Sequence, residues 1–247
     1  MEEKTGQKSR LIHCITNPVS MNQCANTILA LDARPIMAEH PDEVAEITRT
    51  ASSLMLNLGS ITEARITSMR ISLREANGIG IPVTLDAVGT ACSTMRRTLV
   101  KLLLSSGRFA VIKGNCSEII ALYDDTYKAS GVDAKEGTDE DLVMQAALAI
   151  SAKYKTIVAA TGKTDIIASN GEIRKIEGGT SQLSQVTGTG CMLGAVIATY
   201  LADKNDVQSV ADACAFFKRC GAKAQTDKGI GTFMVNLLDA LGEKNGI

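Results

Sequence analysis

The stretch from Val186 to Gly194 reads V-T-G-T-G-C-M-L-G and joins the features that anion chemistry asks of a loop. Gly188 and Gly190 carry no Cβ, so the backbone can come close to a ligand. Thr187 and Thr189 supply hydroxyls that can cap a helix or donate. The apolar residues that follow, Met192, Leu193, Val196, Ile197, Tyr200 and Leu201, recur at helical spacing. The loop therefore opens into a helix whose first N–H groups have no partner within it, at the positive end of the helix dipole. That is a site for a phosphate or carboxylate. Cys191 falls in the first turn, where the same field is expected to lower its pKa and favour the thiolate. An anion hole and a candidate base thus share one turn. A free cysteine is more commonly a small buried hydrophobe, and that reading is taken for Cys14, Cys24, Cys92, Cys116, Cys214 and Cys220.

The elements that must position this turn alternate. Strands are expected at Leu11–Ile15, Arg34–Ala38, Ser53–Leu58, Pro82–Asp86, Phe109–Lys113 and Thr156–Ala160. Helices are expected at Met21–Leu31, Pro41–Ala51, Ile61–Ala76, Ser93–Leu104, Ser117–Leu122 and Thr138–Lys153, the last with acids in its first turn. Such alternation means βαβ units, an α/β fold on a mostly parallel sheet with helices on both faces. The rhythm breaks once: Asp165–Ser169 and Glu172–Ile176 flank Asn170-Gly171, a β-hairpin signal that puts an antiparallel edge on the sheet. Three helices follow, Gly190–Ala202, Val207–Lys223 and Ile230–Leu241. No linker, repeat or low-complexity block divides residues 1–247, which read as a single domain.

In such sheets ligands gather at the carboxyl ends of the strands. The residues there are polar or glycine: Thr16-Asn17, Met37, Asn57 to Gly59, Asp86, Lys113-Gly114-Asn115, Thr161-Gly162 and the Gly188 turn. Asp86 reads either as a turn aspartate before Gly89 or as a functional carboxylate. Glu118 reads either as a helix-start glutamate facing the dipole or as a second such carboxylate. Brought together over a triphosphate, the two would hold Mg²⁺ through water, because magnesium keeps much of its hydration shell. Lys113 is either a solvated lysine or a point charge for a phosphate. His13, inside an apolar strand, reads as a satisfied core imidazole, and His40, in E-H-P-D, as a capping or turn residue.

Composition narrows the class. A hydrophobic content of 45% with 21% charged residues fits a globular enzyme with a sizeable core. Aromatic residues make up 3%, with no Trp, so base-stacking platforms are scarce. The net charge of −1, with scattered Lys and Arg, speaks against a nucleic-acid surface. The seven cysteines contain no C-x-x-C pair and have two histidines beside them, which disfavours a structural zinc site. The N-terminal M-E-E-K-T-G-Q-K carries no apolar leader core, and no run of about 18 apolar residues occurs, so a cytoplasmic protein with reduced thiols and no membrane partner is expected.

Taken in order, I-T-N-P-V-S-M-N-Q-C-A-N from Ile15, P-I-M-A-E from Pro35, L-N-L-G from Leu56, L-D-A-V-G from Leu85, V-I-K-G-N-C-S-E from Val111, A-T-G from Ala160 and V-T-G-T-G-C from Val186 resemble the hydroxyethylthiazole kinases of the ribokinase-like superfamily, across nearly the whole chain. The T-G-T-G-C element is the most specific part, since other ribokinase-like kinases usually carry Asp in its last position. The resemblance implies phosphorylation of a thiazole alcohol by ATP, with Mg²⁺, in thiamine biosynthesis or salvage. It implies Met37, Gly188, Asn17 and Gly59 about the alcohol, and Lys113, Thr161 and Asn115 about the nucleotide. It further implies Asp86 and Glu118 at the magnesium and Cys191 as base. It also implies a homotrimer with sites at subunit interfaces. Three departures stand out: Pro18 within I-T-N-P, L-D-A-V-G where D-P-V-G is usual, and Lys113 where Arg is frequent, which gives up a bidentate phosphate contact. The alternatives are a related kinase of pyrimidine- or pyridoxal-type alcohols, a nucleotide-hydrate dehydratase, or a nucleotide-binding sensor without turnover.

Overall fold

The computed structural model describes residues 10–127 and 139–243; the charged N-terminal segment and Thr138, expected to open a helix, lie outside them. In chain order the described elements are β1 (Leu11–Ile15), α1 (Met21–Ala30), β2 (Arg34–Ile36), α2 (Val44–Thr50), β3 (Ser53–Asn57), α3 (Glu63–Ile79), β4 (Val83–Asp86), α4 (Thr94–Ser106), β5 (Val111–Asn115), α5 (Cys116–Tyr123), α6 (Glu140–Tyr154), β6 (Ile157–Thr161), β7 (Asp165–Ser169), β8 (Glu172–Ile176), α7 (Gln182–Gln185), α8 (Thr189–Asp203), α9 (Val207–Ala224) and α10 (Ile230–Gly242). The strands form one eight-stranded sheet in the order β2-β1-β3-β4-β5-β6-β7-β8. It is parallel from β2 to β6 and antiparallel over the last two strands, as the alternation and the Asn-Gly signal imply. Asn170 and Gly171 both have positive φ, 51° and 84°, the backbone that a two-residue hairpin needs.

Strand periodicity divides the core. Leu54, Leu56, Ile112, Val158 and Ala160 point to one face and pack with Met69, Leu73, Val100, Leu103, Ile120 and Val143 of α3 to α6. Met55, Val111 and Ala159 point the other way, toward α1, α8, α9 and α10. Helix α8 lies directly on the sheet, with eleven of its fifteen residues buried, and its close approach depends on Gly194, where a Cβ would sit 2.7 Å from Met55 Cε.

Several boundaries differ from the sequence reading, and one helix is new. The helix expected from Pro41 begins at Val44, because the His40 carbonyl accepts from the N–H groups of Glu43 and Val44 in a preceding turn. β5 runs on to Asn115, since its backbone keeps pairing with β6 after the apolar pattern has ended. Helix α7 was not expected; its Gln182 amide exchanges hydrogen bonds with the Thr226 backbone, at 2.6 Å and 3.0 Å, and Leu183 packs on Gly221. These are long-range contacts that no local pattern announces.

Candidate functional site

Parallel register sets Asn57 beside Asp86 and Asp86 beside Lys113, the final pairs of β3–β4 and β4–β5. Residues paired in this way share a face, so the three side chains form a row at the carboxyl ends of the strands. That face is the one α8 covers. Asp86 is 0% exposed. Its Oδ1 lies 3.0 Å from Lys113 Nζ, and its Oδ2 accepts from Asn57 Nδ2 at 2.8 Å. Lys113 also donates to the Gly190 carbonyl at 2.9 Å, which anchors the first turn of α8 to the row. Leaving either ion of such a buried pair uncompensated costs about 3–5 kcal/mol.

Cys191 closes the group from above. Its Sγ accepts from Asn57 Nδ2 at 3.2 Å and Asn17 Nδ2 at 3.4 Å. Asn17 Nδ2 donates also to Asn57 Oδ1 at 2.9 Å, and its Oδ1 accepts from the Ser20 N–H. Gly59 is required here: a Cβ would lie 2.7 Å from Asn17 Nδ2, and the Gly59 N–H donates to Asn57 Oδ1. Met37, partly buried, packs against the apolar cluster that contains Cys191, Met55 and Cys24. Of the expected alcohol-side residues, Asn17 reaches the thiol itself, Gly59 packs on Asn17, Met37 joins the apolar cluster that holds Cys191, and Gly188 opens its helix.

The state of that thiol corrects an expectation. Burial raises the Cys191 pKa, the Asp86 carboxylate raises it further, and Lys113, Ser20 and Asn17 only temper the rise. Desolvation of a sulfur enclosed by side chains, with the Asp86 carboxylate nearby, favours the neutral thiol as the resting group. Burial likewise raises Asp86, against Lys113 and Asn57. Burial pulls the Lys113 ammonium down, but Asp86, Cys191 and Glu118 together more than restore it, and its pKa ends above the usual value.

Glu118 occupies the next turn. Its Oε2 accepts from the Asn115 N–H and its Oε1 from the Gly89 N–H, both at 2.7 Å, while Asn115 Oδ1 accepts from the Glu118 N–H at 2.9 Å. This is a reciprocal capping box at the start of α5. Burial, with Lys113 opposing and Asp86 reinforcing, pushes Glu118 up to about 7. Thr161 pairs with Asn115 across β5–β6, and its hydroxyl donates to the Gly114 carbonyl at 3.3 Å. Of the expected nucleotide-side residues, Lys113 belongs to the row, and Asn115 and Thr161 border it on its β6 side.

At α8 the N-cap is Gly188, with φ 91° and no capping side chain. The Thr189 hydroxyl, expected to cap or donate here, turns back to the Leu183 and Val186 carbonyls at 2.6 Å and 3.1 Å. The histidines behave as read: His13 is buried between Thr48 Oγ1 and the Ala38 carbonyl, with burial lowering its pKa, and exposed His40 accepts from the Asp42 N–H in a turn. Among the cysteines read as buried hydrophobes, Cys92 is exposed, in the turn before α4, and Cys116, the first residue of α5, is half-buried. Two functional candidates escaped the sequence reading. Asn57 was seen only as a rim residue, although an amide ending an apolar strand signals a buried polar contact. Lys218, in F-F-K-R on the apolar face of α9, carries a similar signal. Its Nζ lies 3.2 Å from Asp165 Oδ1, both side chains being buried.

Comparison with known proteins gives one consistent result. A model of the hydroxyethylthiazole kinase family matches residues 3–244. A Clostridium botulinum protein named hydroxyethylthiazole kinase 2 is 44% identical over 239 residues, 94% of this chain and 89% of that one. A hydroxyethylthiazole kinase of Alkaliphilus metalliredigens is 42% identical over 242 residues, 96% of this chain and 88% of its own. The solved hydroxyethylthiazole kinase structure from Pyrococcus horikoshii superposes with a TM-score of 0.85 at 32% identity, covering 94% of this chain and 87% of that one. The pyridoxal kinase of Bacillus subtilis shares the ribokinase-like fold, with a TM-score of 0.65 at 13% identity.

Proposed function

The chain belongs to the hydroxyethylthiazole kinase family and phosphorylates a thiazole alcohol at the expense of ATP, and we propose how its own residues divide that work. The observation that carries the proposal is the meeting of Cys191 Sγ with Asn17 and Asn57 beneath the uncapped N-terminus of α8. The acceptor is the hydroxyl of 5-(2-hydroxyethyl)-4-methylthiazole. Met37, Asn17, Gly59 and Gly188 bound its pocket, and the alcohol oxygen sits against Cys191. Because the resting group is the thiol, Cys191 first orients the hydroxyl by hydrogen bonding and takes its proton as the oxygen attacks, with the Asn57 and Asn17 amides steadying the charge on sulfur. Phosphoryl transfer asks mainly for positioning and charge stabilisation. The free N–H groups from Thr189 to Cys191 receive the transferring phosphoryl oxygens.

On the nucleotide side, Thr161, Asn115 and Lys113 line the ATP site. Lys113 is already shared between Asp86 and Gly190, so its charge acts on phosphate as part of that pair rather than as a free ammonium. The donor set fits magnesium held through its own waters. Among the described residues no three His, Cys, Asp or Glu side chains converge into a cage. Each oxygen of Asp86 and Glu118 already accepts an N–H, which leaves second lone pairs for bound waters. Glu118 offers a full negative charge above about pH 7. The ion supplies charge neutralisation for the phosphates when bound.

The reading includes a homotrimer with sites between subunits, in the cytoplasm. It is supported by exposed Val19 beside the Asn17 turn and by exposed Leu29, Ile230 and Val235 on the neighbouring helices α1 and α10. Among the described residues no helix is long and apolar enough to cross a membrane. The test is a coupled kinase assay with the thiazole alcohol, ATP and Mg²⁺, with sedimentation of the active species. Turnover of pyridoxal or a pyrimidine alcohol instead overturns the substrate. Thermal stabilisation by ATP without transfer to any alcohol overturns the enzyme.

A further inference from the structure

The second buried ion pair, Lys218 with Asp165, is not accounted for by phosphoryl transfer, and its ammonium is spent on an unusual task. Lys218 comes from α9, more than fifty residues along the chain from the β6–β7 turn it reaches. Its Nζ donates to the Gly162 carbonyl at 3.0 Å and the Lys163 carbonyl at 2.9 Å, and lies 3.2 Å from Asp165 Oδ1. An ammonium has three donors, and each has an acceptor here. Asp165 Oδ1 in turn accepts from the Gly162 N–H at 2.9 Å, so both backbone groups of Gly162 are tied to the pair. The turn is tight elsewhere too: a Cβ on Gly162 would lie 3.2 Å from Cys116 Sγ. Surface turns usually leave their carbonyls to water, but this one is fastened from beneath by a side chain that is 8% exposed.

We infer that Lys218 is a positioning residue for the nucleotide: by clamping the Gly162 and Lys163 carbonyls it holds the turn after Thr161 in the shape that receives ATP. The inference rests on the proposed role of Thr161 at the nucleotide. A clamp of this kind acts on ATP and leaves the alcohol, bound on the far side of the Asn57–Asp86–Lys113 row, unaffected. It also explains why a lysine lies on the apolar face of α9, where burial would otherwise disfavour it.

The experiment compares Lys218→Met, the double variant Lys218→Met/Asp165→Asn, and Thr161→Val in the full chain. Steady-state kinetics are paired with calorimetric binding of a non-hydrolysable ATP analogue. The double variant removes both buried charges together, a change such sites tolerate, so it folds even where the single one does not. Both Lys218 variants are expected to raise KM for ATP and Kd for the analogue roughly tenfold, with KM for the alcohol and kcat within about threefold. A double variant that binds the analogue as tightly as the parent overturns the clamp, as does an equal loss for ATP and alcohol. Thr161→Val reports on the premise by itself: if it leaves nucleotide binding intact while the Lys218 variants weaken it, the Thr161 role fails and the clamp stands.

Discussion

Two helices begin at the carboxyl edge of the sheet, and they begin in opposite ways. Helix α5 fills its own first turn: Asn115 accepts from the Glu118 N–H, and Glu118 returns the bond to the Asn115 N–H. Helix α8 starts at Gly188, which has no side chain to cap with, and Thr189, next in line, spends its hydroxyl on Leu183 and Val186. A glycine cap costs only a few tenths of a kcal/mol relative to Ser or Asp, so the open end is cheap to keep. The difference separates two kinds of glycine-flanked helix start that look alike as motifs. One is sealed and sets the height of a carboxylate; the other stays uncapped, with a thiol and two amides below it, and is the end proposed to receive the anion.

The sharpest way to break that distinction is at the thiol. Cys191→Ala is expected to lower kcat by a factor of roughly 10² to 10⁴, the usual contribution of a positioned base, with little change in KM for ATP. Single-turnover phosphorylation of the alcohol checks it; a normal rate removes Cys191 from the chemistry and leaves α8 as a plain anion hole. Cys191→Asp is expected to retain activity, since a carboxylate there needs no deprotonation.

The sealed end makes its own claim through pH. Glu118 titrates near 7 in the folded protein against 4.5 in an unfolded chain. The folded state therefore binds the proton more tightly, and the group's contribution to stability is complete below pH 4.5 and lost as pH rises to about 7. That loss is on the order of 3 kcal/mol in all. Glu118→Gln is expected to flatten the decline, though not to abolish it, because burial also raises Asp86 and Asp165. Denaturant titrations at pH 4.5, 6 and 7.5 measure the slope, and an unchanged slope means that Glu118 does not titrate in this window.

How much of this was legible beforehand follows from the range of the forces involved. The alternation of apolar runs gave the sheet and its helices, and N-G gave the hairpin, because both signals are local. The open start of α8 was visible as G-T-G. The sealed start of α5 was visible only as two competing readings of Glu118, since N-x-x-E describes a capping box and a ligand set equally well. The raised thiol pKa was hidden, because it depends on tertiary burial of the sulfur and on the Asp86 carboxylate arriving from another strand end. Asn57 was hidden for the same reason: its value comes from register, which sets it beside Asp86 under α8.

The two helix starts can finally be exchanged in effect by paired substitutions. Gly188→Ala forces a side chain into φ 91°, with its Cβ about as near to Ser20 Cβ as 3.2 Å. Left-handed backbone costs about 1–2 kcal/mol for a residue with a Cβ, and the methyl group narrows the mouth where the phosphate must come close. Loss of kcat/KM by roughly tenfold or more is expected, beyond any loss of stability. Asn115→Ala removes a cap worth about 1 kcal/mol. Its melting temperature is expected to fall by about 2–4 °C, with Asn115→Ser restoring most of it, since Ser also caps. kcat should change far less than in Gly188→Ala. Differential scanning calorimetry and steady-state rates on the same preparations set the two ratios side by side. If Asn115→Ala proves the more damaging to kcat while Gly188→Ala only lowers the melting temperature, then the phosphoryl group is received at α5 and the roles of the two ends are reversed.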